Sequence, residues 1–220
     1  MYMLLMLLHI QNDLEHVLTI WPSPLESVSH QALAWTGSTI PTTLGLLKNL
    51  ETLTLRMSGW QGSLPSEVGL LQNLQRMDLA LNQFNSSLPS EIGNLQNLTT
   101  LDMNSNRFTG TLPTELGGMT NLQELYLERN FFSGTFPTQL SSLVNLERLY
   151  VHETNFTGTT LEERFCDDGG TTVEIYADCL PDPDSETAEH PCSCCEYCCE
   201  AESRIDESST SSTYSYCEFK

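Results

Sequence analysis

Residues 97–120 read NLTTLDMNSNRFTGTLPTELGGMT, and the same order of residue types returns along the chain every 24 positions. The interval is marked by prolines at Pro41, Pro65, Pro89, Pro113 and Pro137. Asn-Leu pairs keep the same interval, beginning at Asn49, Asn73, Asn97, Asn121 and Asn145. Five units without a gap are not a product of composition bias. They indicate a protein built from stacked structural repeats.

Each unit contains a short stretch in which apolar residues occupy every second position. This alternation predicts a short strand with one face turned toward the core. The core pairs are Leu53/Leu55, Met77/Leu79, Leu101/Met103, Leu125/Leu127 and Leu149/Val151. One unit cannot bury its own apolar face, so neighbouring units must stack and bury it jointly. At about 4.8 Å per coil, five or six coils give a parallel sheet roughly 25–30 Å long.

An asparagine follows the strand where the chain must turn, at Asn82, Asn106 and Asn130. An inward asparagine satisfies backbone groups of the turn that would otherwise be buried without partners. The units therefore predict a ladder of asparagines, with Ser58 and Thr154 as weaker members at its ends. A glycine, an apolar-Pro step and a short helical turn such as 90–95 complete the unit.

The unit Leu-x-x-Leu-x-x-Leu-x-Leu-x-x-Asn-x-Phe-x-Gly-x-Leu-Pro-x-x-Leu-Gly, carried by residues 41–161, resembles the plant-type leucine-rich repeat. The resemblance implies an α/β repeat solenoid, curved, with a parallel β-sheet on its concave side and short 3-10 or helical turns on its convex side. Proteins of this family serve mainly as receptor ectodomains that bind ligands or as secreted inhibitors. The motif is specific for the fold and says almost nothing about the ligand, because function resides in sites placed on a fold.

Before Pro41 the repeat decays but keeps its spacing if one extra residue is allowed, so residues 25–40 are predicted to form a degenerate first coil. The solenoid thus spans residues 25–161. Residues 1–24 begin with an apolar run, Met1 to Ile10, that suits a cap helix, the remnant of a longer chain or a signal peptide. No Lys or Arg precedes this run and no clear cleavage site follows. The paired cysteines of the family's usual amino-terminal cap do not occur here.

After the last repeat the composition changes sharply. Residues 162–182 are predicted to cap the solenoid, with Thr171 to Tyr176 as a short strand. Residues 183–220 form an acidic, cysteine-rich tail that we predict to be largely disordered, since residues 208–215 are almost all Ser, Thr and Tyr. Residues 162–220 carry a net charge of -13, against -7 for residues 1–161.

All eight cysteines lie in this carboxyl-terminal part, at Cys166, Cys179, Cys192, Cys194, Cys195, Cys198, Cys199 and Cys217. Three interpretations are open: disulfide bonds, which need an oxidising compartment, a zinc or copper site, and lipidation of a cytosolic tail. A metal site usually has CxxC pairs on two arms of the chain. Cys195 and Cys198 form one such pair and no matching second arm is evident, so disulfides are favoured. Similar Cys-Ser-Cys-Cys tails in some algal members of the family imply a structural cap.

Several function classes are excluded by charge and motif. The formal net charge of -20 would repel nucleic acid and anionic lipid. No apolar run reaches the roughly 18 to 20 residues of a membrane span. The sequence has no HExxH, G-x-S-x-G, phosphate-binding loop or kinase signature, so no enzymatic activity, metal site in the repeats or cofactor is expected.

The concave face of the predicted sheet is the candidate binding surface. Strand side chains alternate, so the residues between the inward leucines point out of the sheet. In the third to fifth coils these residues are charged or aromatic, and the predicted ligand-binding set is Asp102, Glu124, Tyr126, Glu128, Arg148, Tyr150 and His152. Tyrosine and arginine dominate interface energetics because they bury a large area and keep a polar handle.

The sequence therefore predicts a non-enzymatic recognition module that binds a protein, peptide or glycan, exported or at the cell surface. Three N-glycosylation sequons support export, at Asn85, Asn97 and Asn155. The alternative is an intracellular protein-interaction scaffold whose cysteine-rich tail binds metal. The ligand, the disulfide connectivity and the oligomeric state are beyond the sequence.

Overall fold

A computed structural model describes residues 27–29, 39–157, 173–178, 197–200 and 216–217, and the side chains of 39–157 and 173–177. Its strands are β1 (Ser27–Ser29), β2 (Thr52–Thr54), β3 (Gln61–Gly62), β4 (Arg76–Asp78), β5 (Gln83–Phe84), β6 (Thr100–Asp102), β7 (Thr109–Gly110), β8 (Glu124–Tyr126), β9 (Phe131–Gly134), β10 (Arg148–Tyr150), β11 (Asn155–Phe156), β12 (Glu174–Asp178), β13 (Tyr197–Glu200) and β14 (Tyr216–Cys217). Each complete coil also carries a 3-10 helix of five residues: Thr42–Leu46, Ser66–Leu70, Ser90–Asn94, Thr114–Gly118 and Thr138–Ser142.

The strands after the Asn-Leu pairs assemble into one long sheet together with β1, β12, β13 and β14. In the described parts of the chain its order is β1-β2-β4-β6-β8-β10-β12-β13-β14, and every pair except the last is parallel. From β2 to β10 the partners are 24 residues apart, as in Leu101 opposite Leu125. The strands β3, β5, β7, β9 and β11 form small sheets of their own. The predicted leucine-rich repeat solenoid is confirmed.

The core runs along the inside of the coils. Leu53, Met77, Leu101, Leu125 and Leu149 of the concave strands are completely buried. Behind them lies a column of aromatic rings, in which Phe84, Phe108, Phe132 and Phe156 stack at centroid distances of 5.5, 5.8 and 5.9 Å. Trp60 occupies the corresponding position of the coil before them and is also buried. The recurring aromatic therefore supplies a continuous apolar contact between neighbouring coils.

Each 3-10 helix begins directly after the repeat proline, whose carbonyl accepts its first hydrogen bond, as in Val68 N–H to Pro65 O at 3.0 Å. A glycine in this helix lets the next coil approach closely. A Cβ on Gly69 would lie 2.3 Å from the carbonyl oxygen of Glu91, and one on Gly93 would lie 2.2 Å from that of Glu115. The last described 3-10 helix has Ser141 at this position, so the final coil has no glycine there.

The inward asparagines connect adjacent coils. Asn82 donates from Nδ2 to the carbonyls of Leu55 and Leu79, both at 2.8 Å, and its Oδ1 accepts the N–H groups of Ser58 and Trp60. The same pattern recurs at Asn106 and Asn130. The hydroxyl of Ser58 donates to Arg56 O, and that of Thr154 donates to Val151 O. The three asparagines thus satisfy buried turn groups of two coils at once.

The residue before each ladder position adopts a left-handed backbone conformation. These residues have φ between 53° and 58°: Met57, Leu81, Ser105, Arg129 and Glu153. Such a conformation is rare for a bulky side chain and costs free energy. The backbone N–H of each of the first four bonds a carbonyl of the next coil, as in Leu81 N–H to Asn104 O at 3.0 Å. The local residue preference opposes this turn conformation. The hydrogen bonds to the next coil therefore stabilise it.

At the amino-terminal end, β1 pairs in parallel with β2 and places Val28 opposite Leu53, the alignment expected for a degenerate first coil. At the other end, β12 pairs with β10 and places Ile175 opposite Leu149. This strand begins at Glu174 and ends at Asp178, later than the predicted Thr171 to Tyr176. Residues 1–24 and the predicted cap up to residue 172 lie outside the described residues.

Two further strands belong to the tail. β13 pairs in parallel with β12, and β14 runs antiparallel to β13 with Cys217 opposite Cys199. The prediction of a largely disordered tail from residue 183 made no provision for these strands. A parallel sheet that ends at β12 leaves a row of unpaired N–H and C=O groups, and a later extended segment can pair with them. The rest of the tail lies outside the described residues.

We predict that Asn106→Leu destabilises the protein by at least about 2 kcal/mol, because the N–H of Phe84 and the carbonyls of Leu79 and Met103 lose buried partners. The matched control is Asn121→Leu, since Asn121 is exposed and donates one hydrogen bond, to Gln96 O. Its cost should stay below about 1 kcal/mol. Urea denaturation of both variants measures the difference, and equal losses would contradict the role given to the ladder.

Candidate functional site

The concave face carries side chains in straight rows, because the strands keep one register. The middle of three rows, called here the central row, consists of Thr54, Asp78, Asp102, Tyr126, Tyr150 and Tyr176. A second row, at the strand starts, holds Thr52, Arg76, Thr100, Glu124, Arg148 and Glu174. A third row follows the strands with Arg56, Ala80, Asn104, Glu128 and His152. The face therefore changes from acidic to aromatic along its length.

The acidic part of the central row is almost buried. Asp78 is 6% exposed and Asp102 is 8% exposed, and Arg56 lies 3.8 Å and 3.2 Å from their carboxylates. Burial raises the pKa of Asp102 and the nearby Asp78 raises it further, whereas the bonds from Asn104 and the charge of Arg56 lower it. Two carboxylates thus share one guanidinium, so these three groups together carry a formal net charge of -1.

The aromatic part, called here the tyrosine row, consists of Tyr126, Tyr150 and Tyr176. The rings of Tyr126 and Tyr150 lie 4.9 Å apart at an interplanar angle of 87°, and those of Tyr150 and Tyr176 lie 4.2 Å apart at 52°. All three side chains are half-buried. Burial raises the pKa of each of these phenols, so all three remain neutral near pH 7.

A chain of ion pairs lines one side of the tyrosine row. Arg148 binds the carboxylate of Glu124 on one neighbouring strand and that of Glu174, at 3.4 Å, on the other. Thr100 donates to Glu124 at 3.2 Å, and the hydroxyl of Tyr176 donates to Glu174 at 2.9 Å. These bonds tie β6, β8, β10 and β12 together through their side chains and fix the rotamers beside the tyrosines.

Glu128 lies on the other side of the tyrosine row, in the third row. Burial raises its pKa from 4.5 to about 7, and the negative charge of Asp102 adds to this, whereas its own backbone N–H, Arg129 and Arg56 lower it. Its Oε2 is buried and has no hydrogen-bond partner among the described residues. His152 follows in the same row, with its ring 6.4 Å from that of Tyr150. The charge of this side of the face therefore changes near neutral pH.

All seven residues of the predicted ligand-binding set lie on the concave face, around the tyrosine row. Two members of the same surface were not in that set: Tyr176 and Glu174 of β12. The interval from Tyr150 to Tyr176 is 26 residues instead of 24, so the repeat period misses them. The sequence could have revealed Glu174 and Tyr176 if Ile175, as the inward residue of its strand, had been aligned with Leu149.

A second polar ladder runs along the edge where the concave strands begin. In four of the five Asn-Leu pairs the asparagine donates from Nδ2 to a carbonyl 25 residues earlier. Asn73, Asn97, Asn121 and Asn145 bond the carbonyls of Lys48, Gln72, Gln96 and Thr120 at 2.7–2.9 Å. These asparagines, with Glu51, Gln75, Thr99 and Gln123, line a groove of about 570 Å³. The sequence marked the pair as a repeat signal but gave no role for its asparagine.

The candidate modification sites are only partly described. The sequon residues Asn85, Asn97 and Asn155 are exposed, and the amide of Asn97 is engaged in the second ladder. Cys198, Cys199 and Cys217 lie in β13 and β14, whereas the other five cysteines lie outside the described residues. In the described part of the chain no group of His, Cys, Asp and Glu is arranged to hold a metal ion. None of the helices described there is long and apolar enough to cross a membrane.

A curved sheet of parallel strands, with one side-chain-lined concave face, is characteristic of repeat solenoids. Sequence comparison gives two adjoining matches to models of the leucine rich repeat, over residues 73–95 and 96–156. The chain thus carries leucine-rich repeats of the plant type. No curated protein sequence matches it.

Solved structures with the same fold include plant receptors. The chain is 27% identical to the Arabidopsis receptor kinase HAESA, solved with the peptide hormone IDA and a co-receptor, with a TM-score of 0.62 over 71% of this chain and 26% of that one. It is 28% identical to the plant peptide hormone receptor RGFR1, solved in complex with RGF2, with a TM-score of 0.61 over 69% of this chain and 25% of that one. The chain thus spans about a quarter of the length of these receptors. A plant ice-binding protein, 23% identical with a TM-score of 0.55 over 70% and 47%, shares the fold.

We predict that Glu128 makes stability depend on pH. Its folded-state pKa of about 7 lies above 4.5, so the stability from its bound proton is present below about pH 4.5 and is lost as the pH rises through 7. Glu128→Gln keeps the neutral form at every pH. The variant should gain about 1–3 kcal/mol over the parent protein between pH 5 and pH 8. Thermal melts across that range measure the gain, and parallel curves would show that the carboxyl titrates normally.

Proposed function

We propose that the protein is a non-enzymatic recognition module that binds a peptide or protein on its concave face, with the tyrosine row at the centre of the contact. The observation that carries this proposal is the combination of three half-buried tyrosines in one row with a fixed ion-pair chain beside them. Rigid aromatic side chains of this kind contribute large contact area at a small entropic cost.

The tyrosines have little reason to lie in this row for the sake of the fold. The same row carries threonine or aspartate in the earlier coils, and those coils stack with the same register. The solenoid core is complete without them, because the inward Leu125, Leu149 and Ile175 are buried on the opposite face of the same strands. Tyrosine–tyrosine contacts add some sheet stability. The remaining half-exposed ring surface is available to a partner.

The structural neighbours favour a peptide or protein partner. Two of them are receptor ectodomains solved with peptide hormones. This chain covers only a quarter of those proteins, so the proposal stands on the tyrosine row and takes only its general direction from the comparison. A glycan partner, also predicted from the sequence, has less support because the tyrosine rings are inclined to one another and form no flat stacking surface.

We further propose that the protein is exported or displayed at the cell surface and that its tail cysteines form disulfides. The facing positions of Cys199 and Cys217 on β13 and β14 support a cross-strand bond, and the exposed sequon residues Asn85 and Asn155 are accessible to modification. The alternative remains an intracellular scaffold with a metal-binding tail. A free-thiol count on protein isolated from its native source separates the two, because eight free thiols contradict the exported form.

The docking site is tested with peptides selected from a random dodecamer phage library on the folded protein. We predict that Tyr126→Ala and Tyr150→Ala each weaken the selected peptides by more than about 1 kcal/mol. Gln96→Ala, an exposed change away from the concave strands, should leave the affinity unchanged. Calorimetric titration gives the dissociation constants. If Gln96→Ala weakens binding more than both tyrosine changes, the site lies elsewhere.

A further inference from the structure

The tyrosine row extends beyond the repeats. Tyr126 and Tyr150 belong to repeat strands, but Tyr176 belongs to β12, and the next strand places Tyr197 at the same register position. Neighbouring strands lie about 4.8 Å apart, so Tyr126 and Tyr176 are about 9.6 Å apart along the sheet. The face therefore presents an aromatic strip whose length runs across the strands.

A partner on this strip cannot bind by adding a strand. Strand addition needs a sheet edge with unpaired N–H and C=O groups. The tyrosines lie on β8, β10 and β12, and each of these strands is paired on both sides. Recognition must therefore occur through side chains alone, by a partner whose own backbone needs no ladder of hydrogen bonds.

A polyproline II segment meets both conditions. It has no internal hydrogen bonds, its proline residues lack the N–H group, and aromatic-lined surfaces are its usual docking partners. With three residues per turn and a rise of about 3.1 Å, every third residue returns to the same face after about 9.3 Å. This repeat matches the interval of about 9.6 Å between alternate strands. Prolines three residues apart would therefore meet Tyr126 and Tyr176 in turn.

The next interval of the same length leads to the acidic end of the face. Two strands before Tyr126, the central row holds Asp78, with Asp102 on the strand between. These two carboxylates share the single guanidinium of Arg56. A cationic side chain three residues from the proline on Tyr126 would meet their residual negative charge.

We propose, resting on the proposed function, that the concave face binds proline-rich segments with prolines three residues apart and a lysine or arginine three residues beyond, and that Tyr176 is part of this site. The segment lies along the solenoid axis over β8, β10 and β12, with its cation toward Asp78 and Asp102. The inclined rings accept puckered proline rings at different angles, whereas a sugar chain would need a flatter platform.

The test uses defined probes on the whole chain. A peptide of one arginine followed by nine prolines is titrated against a peptide in which glycine and serine replace the prolines, against acetylated nonaproline without arginine, and against cellohexaose. We expect the arginine–proline peptide to bind at least tenfold more tightly than the glycine–serine peptide. Nonaproline should bind at least threefold more weakly than the charged peptide, and the gap should narrow in high salt.

The variants assign the site. Tyr176→Ala should weaken the arginine–proline peptide at least fivefold, and Tyr176→Phe, which keeps the ring, should stay within twofold of the parent protein. If Tyr176→Ala disturbs the folding of β12, Tyr126→Ala tests the same aromatic strip, because Tyr126 lies in a repeat strand. Circular dichroism confirms that each variant is folded.

Three results would overturn the inference. They are equal affinity for the proline and glycine–serine peptides, binding of cellohexaose in place of the peptides, and wild-type affinity in folded Tyr126→Ala and Tyr176→Ala. If library-selected peptides still depend on Tyr126 but show no proline spacing, the proline inference fails and the proposed function stands. If no peptide depends on Tyr126 or Tyr150, both fail.

Discussion

The asparagines buried between coils each satisfy backbone groups of two neighbouring coils. Asn106, for example, accepts from Phe84 N–H in the coil before its own and donates to carbonyls of both coils. A shift of one residue in any coil would leave several of these buried groups without partners, at a cost of about 1–3 kcal/mol for each. The 24-residue register is therefore fixed by polar satisfaction as well as by the stacked leucines and phenylalanines.

The constant register arranges equivalent residues of successive coils in rows on the concave face. Every residue of one coil faces the residue at the same position in the next, so the sequence at three positions per strand decides the whole concave face. The outcome here is uneven: an acidic pair that shares one arginine, then a row of tyrosines beside the Glu124–Arg148–Glu174 ion pairs. The core supports both halves equally, and only their exposed chemistry differs. Recognition is accordingly assigned to the aromatic half.

The repeats could be predicted from the sequence because strand, ladder and helix positions recur at a constant interval. The inward asparagines and the outward Tyr126 and Tyr150 follow from that interval directly. The left-handed turns could not be predicted, since Met57, Leu81 and Arg129 have no local preference for positive φ and are held by bonds from the next coil. Tyr176 was missed because the interval changes to 26 residues at the cap. The burial of the Glu128 carboxyl could not be predicted either, because in the sequence Glu128 looks like an ordinary surface charge.

The central claim is that the repeat register continues into the cap strand and completes a three-tyrosine row. Nuclear Overhauser effects between tyrosine ring protons in solution test it directly, with residue-specific labelling of the tyrosines. Strong cross-peaks are expected between Tyr150 and Tyr176, whose ring centroids are 4.2 Å apart, as well as between Tyr126 and Tyr150 at 4.9 Å. A Tyr126–Tyr150 contact without any Tyr150–Tyr176 contact would show that the row ends with the repeats and would contradict the account.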